Sequence, residues 1–353
     1  RRFKKREELR IGMADLAGML PFSVVCKGLS RLAEACLDSA LRLAAAETAK
    51  RFGGAAAVGG DGAGIAIIAA GKLGGREIIY GSDLDILFAY DEQALAGAPA
   101  GVSGFEYASK IAEKTISYLT TMTREGAAYR VDTRLRPGGS KGPLITSVAA
   151  FQQYYTEKAD TWERQAMINT RFVAGDLKVG AVAIDALRST IYRTEDRAEL
   201  AAAVSSMRKR MEVELGKENG KHFNLKQGAG GLVDIEFLAQ YLQLLHGAVR
   251  NRVRVPGTMS ALRVLMRERL LSREDGVLLI DAYLFLRKLE SRMRIVANQA
   301  ESLLARDPAK LGPLALRLGF VKDAGTAAGA GLLEKYQKTS REVRLIYERT
   351  LGC

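Results

Sequence analysis

Two histidines in 353 residues leave no material for a histidine-built zinc centre, and His222 and His246 read as ordinary surface or packing residues. Cysteine is scarce too. Cys26, Cys36 and Cys353 are odd in number and form no C-x-x-C pair, so they read as reduced thiols of a cytoplasmic protein. No run approaches the roughly 18 apolar residues of a membrane span. The basic start, Arg1-Arg2-Phe3-Lys4-Lys5-Arg6, leads into no apolar signal region. An initiator methionine is missing, which is expected of a piece of a longer protein. Aromatic residues make up 7 % of the chain, and no basic stretch is interleaved with them, which argues against a base-stacking nucleic-acid platform. No internal repeat is present.

What remains is an ordinary globular balance, 48 % hydrophobic and 26 % charged, long enough for two or three domains. The net charge of +13 suits an anionic partner: nucleotide phosphates, an acidic protein surface or nucleic acid. Residues 1–50 read as helical, with Leu9, Met13, Leu16 and Leu20 on one stripe, an interruption at Pro21, and Leu29, Leu32, Cys36, Ala40 and Leu43 on the next. Glycines from Gly53 to Gly62 read as a connector. Residues 51–150 carry the strand signals: Ile65–Ala70, then Asp83–Tyr90, then, after a helical segment around Tyr107–Thr121, an alternating run Tyr129–Arg136 ended by Pro137-Gly138-Gly139. Residues 151–353 read as a helical bundle, with seams at Ile235, Leu238, Leu242 and Leu245, at Leu286, Leu289, Met293 and Val296, and at Leu332, Tyr336, Val343 and Ile346. The expected fold class is α+β: a small mixed sheet flanked by N-terminal helices and followed by that bundle.

Asp83 and Asp85 are the most informative residues. Two apart at the head of an apolar strand, they point to the same face, and their repulsion is costly unless a divalent cation neutralises it. Asp132, on the charged face of the third strand, is placed to join them, with Arg130, Arg134 and Arg136 beside it to steady phosphate charge. Three carboxylates suit magnesium, or manganese in its place, in a two-ion nucleotidyl-transfer site. A lone D-x-D is weak on its own, and a surface acidic pair or a glycosyltransferase-type D-x-D stays open. The upstream Gly71-Lys72-Leu73-Gly74-Gly75 matches neither the Walker loop nor G-x-G-x-x-G.

The ordered combination resembles the DNA polymerase β-like nucleotidyltransferase superfamily, and more closely the glutamine synthetase adenylyltransferase family. The resemblance rests on Gly71–Glu77, Ser82–Asp85, Val131–Pro137, Asp160–Ala166 and Gly230–Phe237, in family order over most of the chain. It implies magnesium-dependent transfer of AMP from ATP to a tyrosine of glutamine synthetase, with Asp83, Asp85 and Asp132 as catalytic metal ligands. Gly71, Lys72, Gly74, Gly75, Ser82, Arg134 and Arg136 would meet the nucleotide, and the PII signal protein and glutamine would control the full-length enzyme. Lys72 stands where the wider superfamily has a small residue. Members carry an adenylylating and an adenylyl-removing half. The run Tyr80–Asp85, with Asp132-Thr133-Arg134, Ala14–Gly18 and Asp234–Phe237, suggests the former, whereas Ser140–Leu144, Trp162-Glu163-Arg164 and Gly228–Gly231 are similar to the latter. Trp162 reads as a packing anchor, or else a wall of the nucleotide pocket, with Glu163 and Arg164 beside it. Asp234 reads as favouring a helix dipole without sharing a face with Glu236. Arg208-Lys209-Arg210 reads as a solvated helix face, or else a dock for an acidic partner. An RNA nucleotidyltransferase or nucleic-acid-binding module, and a regulatory domain that has lost chemistry, are the readings from other classes.

Overall fold

Five apolar residues between glycines, Ile65–Ala69, form β1, and every one of them is buried. The computed structural model describes residues 1–52, 64–95, 101–297, 302–320 and 325–352; the Gly53–Gly62 connector falls wholly outside these, as does Cys353. The described residues hold thirteen α-helices and seven strands in two compact units, Arg1–Ile191 and Tyr192–Cys353.

In the first unit, α1 (Arg2–Leu16) and α2 (Phe22–Phe52) precede β1. The four-residue α3 (Gly71–Gly74), β2 (Leu84–Tyr90), α4 (Gly104–Thr120), β3 (Val131–Asp132) and β4 (Ile145–Ser147) follow. Then come α5 (Val148–Glu157), α6 (Thr161–Met167), β5 (Arg171–Gly175) and α7 (Leu177–Ile191). β1 lies between β2 and β5 and is antiparallel to both. The far edge of β2 is shared by two short parallel partners, β3 at its start and β4 at its end. β5 lies beyond residue 150, yet it is part of this sheet.

Alternation along the strands divides the sheet into two faces. Ile65, Ile67 and Ala69 of β1 join Leu84, Ile86, Phe88 and Tyr90 of β2 in one core with Leu29, Ala33 and Leu37 of α2 and Tyr107, Ala108 and Ile111 of α4. By parity, Asp83, Asp85, Leu87 and Ala89 look the other way. The third strand is far shorter than its alternating pattern predicts. Only Val131 and Asp132 pair, because the backbone then turns: the Asp132 carboxylate accepts the Arg134 N–H, and Arg136 N–H bonds back to the Thr133 carbonyl. Gly138 and Gly139 continue the turn at φ of 74° and 61°, a region open to glycine.

The α1 stripe faces solvent. Leu9, Met13 and Leu16 are exposed and only Leu20 packs on the core, whereas in α2 Leu29, Leu32 and Ala40 are buried and Leu43 is exposed. A helical period reveals a face without saying that anything covers it.

The second unit contains α8 (Arg197–Leu215), β6 (His222–Asn224), α9 (Leu232–Gly247), α10 (Thr258–Arg267) and α11 (Arg273–Ala297), then β7 (Leu303–Ala305), α12 (Pro308–Arg317) and α13 (Gly325–Leu351). β6 and β7 form a two-stranded antiparallel ribbon within the helices. The three helical seams are buried except at Val296 and, in part, Leu245. Arg208 is buried rather than solvated. Its guanidinium pairs with the fully buried Asp234 in the first turn of α9, and Arg344 of α13 bonds Asp234 and Glu212. Among the described residues no helix is long and apolar enough to cross a membrane.

Candidate active site

β2 is buried along its length except at Asp85, which is partly open. Asp85 is the register partner of Asp132 across the parallel β2–β3 pair, so the two carboxylates rise from one face of the sheet. Asp83 shares their parity but stands just ahead of the strand, largely exposed. All three acids thus stand at one end of the sheet.

Each outer acid is held by an arginine. Arg130 Nε meets Asp83 Oδ1 at 2.5 Å and its Nη2 bonds the Gly81 carbonyl at 3.1 Å. Arg134 grips Asp132 with Nε at 2.9 Å and Nη2 at 2.5 Å from Oδ2. That guanidinium holds the Asp132 carboxyl below its usual range. The pairing in turn raises Arg134, with smaller contributions from the charges of Asp85 and Asp83. All three acids thus act on one guanidinium. As the side chains stand, no group of three or more His, Cys, Asp or Glu among the described residues is gathered closely enough to hold a metal ion. The donor set is nonetheless all oxygen, the chemistry that magnesium prefers.

The glycine-rich segment is α3, a single turn between β1 and the approach to β2. Gly71 has a φ of +52°, and a β-carbon on it would stand 2.5 Å from Asp85 Oδ2. The turn is thus pressed against the acid site. Lys72 Nζ lies 3.9 Å from Glu77 Oε2. Ser82 Oγ accepts the Ile79 N–H at 3.0 Å and shapes the bend before Asp83. Gly74 cannot carry a side chain, because its β-carbon would fall 1.8 Å from the Asn169 carbonyl oxygen. Gly75 closes the turn through its N–H to the Gly71 carbonyl at 3.2 Å.

Arg136 is committed to its own loop. It donates to the Thr133 carbonyl and hydroxyl at 2.9 and 2.8 Å, to the Gly142 carbonyl at 3.1 Å and to the Ser140 carbonyl at 3.2 Å. Trp162 is 44 % exposed, so it does not anchor packing. Its neighbours build α6: Glu163 caps the helix with Asp160 and accepts the Tyr154 hydroxyl, and the fully buried Arg164 donates to the Ile191 carbonyl. Asp234 and Glu236 belong to the second unit. There Asp234 is part of the buried ion network and accepts the Gly230 N–H at 2.7 Å.

Neither Arg171 nor the role of Asp15 is legible in the sequence. Arg171, at the start of β5, donates to the carbonyls of Leu73 and Gly74 at 3.2 Å each and to Glu34 of α2 at 2.6 Å. Asp15, inside the Ala14–Gly18 motif, accepts the Tyr80 hydroxyl at 3.2 Å and so ties α1 to the approach to β2. These pairs are 65 to 137 residues apart and leave no local spacing signal. In the second unit an open cavity of about 430 Å³ is lined by Phe223, Tyr336 and Ser340, and its charged walls, Glu218, Arg306 and Arg341, are exposed side chains.

Known proteins resemble this chain over nearly its whole described length. The sequence profile of glutamate-ammonia ligase adenylyltransferase matches residues 1–211, and that of the PII-uridylyltransferase matches residues 198–351. The bifunctional glutamine synthetase adenylyltransferase/adenylyl-removing enzyme of Acinetobacter baylyi is 38 % identical over 313 residues, 85 % of this chain and 34 % of its own length. That of Methylococcus capsulatus is 42 % identical over 255 residues, covering 70 % and 27 %, and that of Stenotrophomonas maltophilia 33 % over 349 residues, covering 97 % and 36 %. The chain spans about a third of the length of these curated relatives. With the match to its profile extending over more than half of the residues, the chain belongs to the glutamate-ammonia ligase adenylyltransferase family.

Proposed function

We propose that this chain transfers AMP from ATP to a tyrosine hydroxyl of glutamine synthetase, releasing pyrophosphate, on a polymerase β-like nucleotidyltransferase scaffold. The observation that carries the reading is the register pairing of Asp85 with Asp132 on one sheet face, with the Gly71 turn against Asp85. Family membership and the names of the relatives supply the substrate.

Asp83, Asp85 and Asp132 would hold magnesium, or manganese in its place. When bound, the metal neutralises the carboxylates and stabilises charge on the attacking oxygen and the pyrophosphate. Asp132 takes up the tyrosine proton. Backbone amides at the start of the Gly71–Gly75 turn and the Lys72 ammonium face the triphosphate, while the Gly74 and Gly75 amides close the turn on the Ala70 and Gly71 carbonyls. Ser82 sets the bend that presents Asp83. Arg134, released from Asp132, carries phosphate charge, whereas Arg136 acts by keeping the Thr133–Gly142 loop in shape. Trp162 is a contact for nucleotide or target rather than a core residue. The PII signal protein is the expected partner in the full-length protein, and the cytoplasm the expected compartment.

The adenylylating half is preferred. The adenylyl-removing half, which would phosphorolyse adenylylated synthetase to give ADP, is the second reading, because the relatives are named for both activities. The test runs both directions in parallel: unmodified glutamine synthetase with labelled ATP and magnesium, and adenylylated synthetase with phosphate. Label transfer in the first arm supports the proposal, turnover only in the second reverses the direction, and neither removes it.

A further inference from the structure

We propose that Arg171 is a positioning residue: with Glu34 it fixes the glycine turn at the distance from Asp85 that nucleotide binding requires. The inference rests on the nucleotidyl-transfer reading above and deepens it. Arg171 opens β5, on the opposite side of β1 from the acids, and reaches the turn that β1 leads into. Its Nε donates to the Gly74 carbonyl and its Nη2 to the Leu73 carbonyl, at 3.2 Å each, while Nη2 also meets Glu34 Oε1 at 2.6 Å. The planar fork thus holds two successive carbonyls of a single turn, which a lysine ammonium cannot reproduce in one orientation.

Both partners are largely withdrawn from solvent, with side chains 19 % and 18 % exposed, so this ion pair is weakly screened. Glu34 also lies 3.7 Å from Arg76, which leaves the turn in the left-handed region at φ 55°. One carboxylate on α2 therefore meets both Arg171 and the residue that leaves the turn. The Asn169 carbonyl fills the space where any β-carbon of Gly74 would stand. The turn is held at its Leu73–Gly74 end by the approach to β5, and its Gly71 end meets Asp85. Rotation about either end would change how its amides face the acids. A four-residue helix has too few hydrogen bonds to keep that orientation unaided, so the clamp supplies it.

The test compares Arg171→Lys, Arg171→Met and Glu34→Gln in the full chain. Amide hydrogen exchange across Gly71–Glu77 should quicken in all three, most in Arg171→Met and least in Arg171→Lys. The KM for ATP should rise about tenfold or more in Arg171→Met, the scale of a lost charge-assisted hydrogen bond, with kcat at saturating ATP within about twofold of the parent and Arg171→Lys intermediate. A merely structural role gives the opposite signature, a lower apparent kcat from fewer folded molecules at unchanged KM, and that result overturns the inference. Unchanged exchange in the turn also overturns it. A parent chain that binds no labelled ATP with magnesium removes the transfer reading and the positioning role together, while the exchange data still report separately whether the clamp exists.

Discussion

The Asp85 carboxylate rests against the α-carbon of Gly71, with Oδ2 2.5 Å from where a β-carbon would be. Gly71→Ala would both strain a left-handed backbone and displace the carboxylate. The expected result is a loss of about 1–2 kcal/mol in unfolding free energy, with AMP transfer reduced far more than stability. Denaturant melts and transfer assays on one preparation check this.

Replacing Asp83, Asp85 or Asp132 by Ala should reduce AMP transfer more than about a hundredfold, beyond the usual cost of losing an outer-shell partner of a metal site. Circular dichroism should be unchanged, because Asp83 is largely exposed and Asp85 and Asp132 are only partly buried. Chelation should abolish turnover, and added magnesium or manganese should restore it; activity that survives chelation contradicts the metal assignment.

Asp234→Ala leaves Arg208 buried with its principal carboxylate gone, and frees the Gly230 N–H. Breaking a buried pair from one side costs about 3–5 kcal/mol, so the second unit should melt at markedly lower denaturant. Asp234→Ala combined with Arg208→Met should recover part of the loss, read in the same melts.

His246, half-buried in the last turn of α9, is held below its ordinary value of 6.5 by burial and then by the charges of Arg250 and Arg197. A depressed folded value means that the unfolded chain binds more protons, so this contribution is present above pH about 6.5 and fades as pH falls through the folded value. His246→Gln should flatten that part of the stability–pH curve, measured by urea melts between pH 7 and 5.

The acids and the two long strands were legible in the sequence because each depends on neighbours in the chain: apolar runs between glycines, and carboxylates at a spacing of two. The third strand was over-read. Tyr129–Arg136 alternates cleanly, but alternation does not reveal that the Asp132 side chain and Arg136 pull the backbone into a turn. β5 leaves no such local signal, and its first residue, Arg171, bonds partners 97 to 137 residues away. Arg208 was misjudged for the same reason, since a basic triplet reads as solvated until the buried Asp234 is seen opposite it. Trp162 shows the reverse error, as its type suggested burial and its helix presents it to solvent.

Gly230 has no room for a β-carbon because the Ser340 carbonyl of α13 sits 1.8 Å from that position, and Ser340 Oγ bonds the Ala229 carbonyl. Arg344, one turn further on, reaches Asp234 at the head of α9. During synthesis, then, the second unit cannot close its ionic centre until α13 has left the ribosome. Chains cut short before residue 325 should emerge with Arg208 and Asp234 facing an open seam, natural clients for chaperones and proteases.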